Sequence, residues 1–183
     1  FTADDFVKDV LLIKEETDLI IVDHLHYFDF DDENENRAMK TAIKKIRDIA
    51  LLIGKPVVLV AHVRKADRRL KILIPETEDV HGSSDIGKIV TKAVSFAPAK
   101  KTPEVDNYRF PTYIKITKDR MDPTTTKYVG LCMFNMRLNQ YDPEYSLGVL
   151  KNDDTEVETI DVSMYPEWAS TQKTDEKMIE GLL

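Results

Sequence analysis

The sequence predicts an α/β fold: a doubly wound, mostly parallel sheet with helices on both faces, closed by a carboxyl-terminal antiparallel hairpin. Three observations carry that expectation. Short apolar runs rich in β-branched residues alternate with helical stripes through roughly the first hundred residues. Beyond them the hydrophobic period falls to two. The two alternating runs are separated by a polar turn that holds Pro123, as a hairpin requires.

The elements follow in order. Phe6, Val7, Val10, Leu11 and Lys14 recur at helical spacing, with Thr2 or Asp4 placed to cap the helix start. "DLIIVD" (18–23) is short, apolar and β-branched, which suits a buried parallel strand. A polar, acidic loop "DFDDENEN" (29–36) separates it from "RAMKTAIKKIRDIALLI" (37–53). That stretch puts Ala42, Ile46, Ile49, Ala50 and Ile53 on one helical face, and Gly54 stops it. "PVVLVAH" (56–62) is a second buried strand. A basic loop, the apolar piece "LKILIP" and a polar turn lead to "SSDIGKIVTKA" (83–93), read as a helix, and "VSFAP" (94–98), read as a third strand. "TYIKITK" (112–118) and "KYVGLCMFN" (127–135) form the hairpin. Strand, helix, strand, helix, strand implies parallel pairing through crossovers, with helices covering the sheet. The expected domain spans residues 1–151, and residues 152–183 form an acidic tail, either a docking arm or disordered.

With 183 residues, 42% of them hydrophobic and 32% charged, the chain suits one domain with some extra and buries a real core. No apolar run approaches the roughly 20 residues that span a bilayer. Cys132 is the single cysteine, so no intramolecular disulfide forms, and a reducing, cytoplasmic setting is expected. The opening "FTADDFVKDV" carries acids where a secretory signal carries a basic cap, and it begins on Phe1, so a longer parent protein is expected. The net charge of −7 sits in the tail, where nine acids from Asn152 onward face only Lys173 and Lys177. Within the neutral remainder, "HVRKADRRLK" (62–71) gathers Arg64, Lys65, Arg68, Arg69 and Lys71 around one acid. Such a loop either meets phosphates, because distant charges are screened, or is an ordinary solvated loop.

Ligands of open parallel sheets bind at the carboxyl ends of the strands. The first strand ends on Asp23, whose carboxylate at a rigid tip suits a magnesium ion or its waters. The second ends on His62, a polar side chain able to contact a γ-phosphate and report hydrolysis to the loop that follows. Lys118 and Arg120 share one side of a strand, where they could stabilise phosphoryl transfer in a neighbouring subunit. Each also has a plainer reading: a common strand-ending acid, a histidine satisfied by loop backbone, a pair of exposed strand charges. "GSSDIGK" and Ile89 (82–89) match a phosphate-binding loop except at the last position, where the hydroxyl that meets magnesium is missing. A polar turn precedes this match, and it follows the Asp-tipped strand instead of preceding it, so it is read as a decoy. Gly82, Ser83 and Ser84 at a helix start still suit capping or a nucleic-acid phosphate. His24 and His26 near Asp29, Asp31 and Asp32 match no zinc spacing, and the acidic loop lacks the glycine of a calcium loop. Cys132 has no activating neighbour in sequence and reads as core.

In order, "DLIIVDHLHYF" (18–28), residues 32–65, residues 78–99 and "YIKITKDRMDP" (113–123) resemble the later half of a RecA-like ATPase core. The likeness is to the DnaB-type hexameric replicative helicases and their plasmid RepA-type relatives, and it covers roughly residues 1–150. The resemblance implies a part of an ATP-hydrolysing DNA helicase motor for replication, within the P-loop nucleotidase superfamily. It implies ATP and Mg2+ as cofactors, single-stranded DNA as partner and a homo-oligomeric ring, a hexamer in the parent. Asp23 would be the Walker B carboxylate and the metal-binding residue, and His62 the γ-phosphate sensor. Arg64, Lys65, Arg68, Arg69, Gly82, Ser83 and Ser84 would face DNA in the central channel. Lys118 and Arg120 would be the basic finger acting in trans. The family's phosphate-binding loop and catalytic glutamate precede the Asp-tipped strand, and His24 rather than Glu follows Asp23. His81 stands where the family often has Arg. The competing readings are a recombinase or KaiC-like switch on the same core, and a non-enzymatic adaptor that docks through the acidic tail.

Overall fold

The computed structural model describes residues 1–25, 28, 35–63, 74–80, 86–99, 108–151 and 155–170. They divide into two compact units: Phe1–Leu70 with Pro75–Ala93 and Thr117–Met121, and Lys71–Ile74 with Val94–Ile116 and Asp122–Leu183. No helix among the described residues is long and apolar enough to cross a membrane.

The first unit begins with α1 (Ala3–Ile13), capped by Thr2. The Thr2 hydroxyl accepts the Asp5 N–H at 3.2 Å, and the Asp5 carboxylate accepts the Thr2 N–H at 3.0 Å, so two helix-start donors are satisfied reciprocally. Phe6 and Val10 are the buried members of the expected stripe. The second helix, α2 (Glu35–Ile53), buries Met39, Ala42, Ile43, Ile46 and Ile49. It ends at Gly54, whose φ of 67° is left-handed, and the Lys55 N–H closes back on the Ala50 carbonyl. That six-to-one hydrogen bond is the terminating motif for which glycine is favoured. Lys45 on α2 and Asp4 on α1 pair at 2.6 Å on the surface.

Between the helices, β1 (Ile20–Val22) runs parallel to β2 (Val57–Leu59), with Ile20 opposite Val57 and Val22 opposite Leu59. Phe6, Val10, Ile20, Leu25, Phe28, Met39, Ile43, Ile46, Ile49 and Ile86 form one continuous core. Phe28 is its aromatic centre, edge-on to Phe6 at 5.9 Å. The strand alternation buries Ile20 and leaves Ile21 63% exposed, so this face of the strand is not covered by a described helix. The sequence expectation of strands buried on both faces is met on one.

The parallel sheet has two strands among the described residues, and the third expected strand is placed elsewhere. β3 (Lys92–Pro98) joins a five-stranded sheet of order β3, β4 (Arg109–Asp119), β5 (Tyr128–Asn135), β6 (Gln140–Lys151), β7 (Glu156–Thr159). The Ala99 N–H bonds the Pro111 carbonyl and the Arg120 N–H bonds the Thr91 carbonyl, which makes β3 antiparallel to β4. The described residues are therefore mixed α/β, with a parallel and an antiparallel sheet. The expected helix over 83–93 is a single turn, α3 (Ile86–Ile89), in the described residues. The β-branched Val90 and Thr91 end it, and the Arg120 N–H captures the Thr91 carbonyl for the sheet.

The hairpin is as expected. β4 and β5 pair antiparallel from Arg109 opposite Asn135 to Lys115 opposite Val129, across a short 3-10 turn at Pro123–Lys127. Asp122 caps that turn by accepting the Thr124 N–H at 3.0 Å. Within the second unit Ile74, Ala97 and Val129 form the buried centre, with Tyr113, Leu150 and Val157 against it. Part of the acidic stretch beyond 152 is ordered here: β7 pairs with β6, and α4 (Glu167–Ser170) follows. Gly148 permits the β6–β7 approach, since a Cβ there would lie 2.7 Å from the Glu158 carbonyl oxygen and from Val157 Cγ1.

Candidate nucleotide and transfer site

The parallel pair β1–β2 sets the first part of the site. Val60 N–H bonds the Val22 carbonyl at 2.9 Å, and Leu25 N–H bonds the Val60 carbonyl at 3.1 Å. These two bonds bracket Asp23 and His24, so the two residues leave the carboxyl end of β1 while Leu25, fully buried, anchors the chain behind them. Asp23 is exposed, and the Asp23–His24 peptide is cis. His62 leaves the end of the neighbouring strand. Its ring lies 4.5 Å from that of His24, edge-on at 70°. Two strand ends that the sequence pointed to separately are thus adjacent, and His24 joins them.

The basic pair stands on β4 and the residue after it. Period-two geometry sends Lys118 and Arg120 to one side of the strand and Asp119 to the other. Lys118 Nζ donates to the Gly87 carbonyl, and an Arg120 guanidinium N–H donates to the Lys88 carbonyl. Both cations therefore meet the carbonyl end of α3, where peptide dipoles favour positive charge. On the opposite side, Asp119 is buried, with its side chain 1% exposed, and pairs with Lys92 of β3 at 2.8 Å. Its other carboxylate oxygen accepts the Met121 N–H at 3.0 Å. Sequence reasoning passed over Asp119. Its signal was there: an acid between two cations on an alternating strand must face the other way.

Lys88, the lysine of the phosphate-loop match, is exposed on the one-turn α3, which runs directly into a strand. A phosphate-binding lysine opens a long helix after a strand. The DNA-facing residues Arg64, Lys65, Arg68, Arg69, Gly82, Ser83 and Ser84 lie outside the described residues, as do His26, Asp29, Asp31 and Asp32. Among the described residues no three His, Cys, Asp or Glu side chains gather as a metal cluster. Magnesium in nucleotide sites takes one or two carboxylates and completes its shell with phosphate oxygens and water, so a single exposed strand-tip carboxylate fits it. Cys132 is half-buried on β5, outside the buried cores, and burial pushes its thiol pKa up.

No protein among the curated sequences matches this one. Among solved structures, an ATPase domain is similar at 9% identity and a TM-score of 0.47, over 87% of this chain and 52% of that one. The chain thus spans about half the length of that solved domain. Residues 2–68, which carry α1, β1, α2, β2, Asp23 and His62, match the AAA domain family, and over that stretch the resemblance to an ATPase core is borne out.

Proposed function

We propose that this chain is part of an ATP-driven DNA helicase motor, and that Asp23, His62, Lys118 and Arg120 are its nucleotide-handling residues. The carrying observation is the adjacency of the β1 and β2 carboxyl ends, with Asp23 exposed and His24 against His62 at 4.5 Å, inside the stretch that matches the AAA domain family. Asp23 would hold Mg2+ through the ion or its waters. Bound there, Mg2+ supplies positive charge that neutralises phosphate oxygens during phosphoryl transfer. His62 donates a hydrogen bond to the γ-phosphate and, being followed directly by Val63 and the basic stretch from Arg64, passes its loss into that segment. Arg64, Lys65, Arg68, Arg69, Gly82, Ser83 and Ser84 bind single-stranded DNA through its phosphates, which makes binding salt-dependent.

Lys118 and Arg120 act in trans on the nucleotide of an adjoining subunit of a ring. In this chain they rest on the neutral carbonyls of Gly87 and Lys88. A phosphate oxygen carries formal negative charge where a peptide carbonyl carries only a partial one, so an incoming nucleotide outcompetes those carbonyls.

DNA-stimulated ATP hydrolysis by the full-length protein tests the reading. Lys118→Ala and Arg120→Ala should each lower kcat by about a thousandfold, the lower end for a transfer-stabilising arginine, with nucleotide affinity retained. A full-length protein that binds partners but hydrolyses no ATP with or without DNA returns the non-enzymatic adaptor instead.

A further inference from the structure

We infer that Asp119 is the positioning residue of the Lys118–Arg120 pair, a role that rests on the transfer function proposed for those two cations. The argument is geometric. A strand can present two cations on one side only if its backbone is held against rotation, and β4 ends at Asp119, so Arg120 lies just past the strand with its N–H bonded across to the Thr91 carbonyl. Asp119 adds restraint twice. Its pair with Lys92 ties the strand end across to β3 at 2.8 Å. Its bond to the Met121 N–H at 3.0 Å bridges the peptide units on either side of Arg120, so the backbone that carries the guanidinium is fixed from both sides. The Arg120 N–H, bonded to the Thr91 carbonyl at 3.1 Å, completes the frame.

Burial makes this arrangement stiff. A carboxylate with 1% exposure has little water to fall back on, so releasing either partner leaves charge or an acceptor unsatisfied. An exposed Asp in the same place would exchange its partners for solvent at little cost. The opposed faces explain the spacing: the acid anchors behind the strand while the cations project in front, and neither interferes with the other.

Amine acylation of the full chain, read residue by residue by mass spectrometry well below the melting temperature, tests this directly. Lys118 is compared with Lys151, which pairs with Glu158 on β7, away from both α1 and the end of β4. In Asp119→Ala the Lys118-to-Lys151 labelling ratio should rise about fivefold, the factor given by losing one net hydrogen bond. Asp119→Asn keeps an acceptor for the Met121 N–H but not the charge, and should rise by a smaller factor of about two to three. Thr2→Ala, which loosens α1 without touching β4, should leave the ratio at the wild-type value. If Asp119→Ala does not fold, Asp119→Asn decides alone. A wild-type ratio in the folded Asp119 variants overturns the inference, as does an equal rise in Thr2→Ala, which would mark general loosening. If the ratio rises as expected while Lys118→Ala leaves turnover untouched in the full-length protein, positioning stands and the trans role of the cations falls.

Discussion

At the scale of single residues, the clearest forces are local and reciprocal. Asp5 has its carboxyl held below the ordinary carboxylate value by hydrogen bonds from the Thr2 hydroxyl first and the Thr2 N–H second. A lowered folded pKa contributes stability that is present above the ordinary carboxylate value and lost as pH falls through the folded one. Thr2→Ala removes the hydroxyl and should cost about 1 kcal/mol, the usual worth of an N-cap, measured by urea unfolding at neutral pH. Part of that difference should vanish as pH is lowered below the carboxylate range. Gly54 presents a different case. A Cβ there meets nothing within 4 Å, so Gly54→Ala is opposed only by the left-handed φ of 67°. The expected loss is about 1–2 kcal/mol, with no change in the packing of α2. Thr2 and Gly54 were both legible in the sequence, because caps and stops are written in residue types that have few other uses. The side to which Asp119 faces was legible too, but its pairing was not, because Lys92 belongs to another strand whose register no local pattern fixes.

At the scale of elements, period decided what could be read. α2 keeps one apolar face over five turns, and the expected Ala42, Ile46 and Ile49 are buried in it. Ile46→Ala should destabilise the first unit by about 2–5 kcal/mol, the cost of emptying a buried aliphatic site. The alternation of β4 and β5 likewise announced the hairpin, and their register follows from it. What periodicity could not say is which sheet a strand joins. "VSFAP" satisfies the same pattern in a parallel or an antiparallel sheet, and backbone hydrogen bonds from residues a dozen or more positions away, Pro111 and Arg120, settle it. β7 was missed for a related reason: Glu156 and Glu158 read as tail charge, yet Val157 between them packs against the second core, and Lys151 pairs with Glu158. Gly148→Ala should break this edge, since the methyl overlaps backbone that cannot retreat, at a cost of about 1–3 kcal/mol in chemical unfolding. The β5–β6 pair Cys132 and Tyr145 adds an alkaline limit. Burial raises the pKa of both, with the Tyr165 and Cys132 charges adding to it at Tyr145. A raised folded pKa gives stability that is complete below the unfolded value and lost as pH climbs through the folded one. Alkaline unfolding should therefore begin near the ordinary thiol range, and Cys132→Ala should move its onset upward.

At the scale of the whole chain, two features compete for phosphate. The pattern from Gly82 to Lys88 carries the spacing of a phosphate cradle, while the strand ends carry Asp23 and His62. Physical context separates them. A cradle lysine needs a long helix behind it, whose aligned peptide dipoles and free N–H groups hold the phosphate. α3 is one turn long, and its carbonyl end is already engaged by Lys118 and Arg120. The strand ends, by contrast, are fixed by backbone bonds on both sides of Asp23 and His24. Calorimetric titration of the full-length protein with Mg·ATPγS turns this contrast into numbers. Loss of a charge-assisted contact to nucleotide costs about 1.5–3 kcal/mol, or roughly ten- to a hundredfold in Kd. Asp23→Asn should show a loss of that order when Mg2+ is present and almost none when it is chelated, as the proposed action through the metal requires. Lys88→Ala should bind as the wild type does under both conditions. A loss confined to Lys88→Ala would transfer the phosphate site to α3 and leave the strand ends with a structural role only.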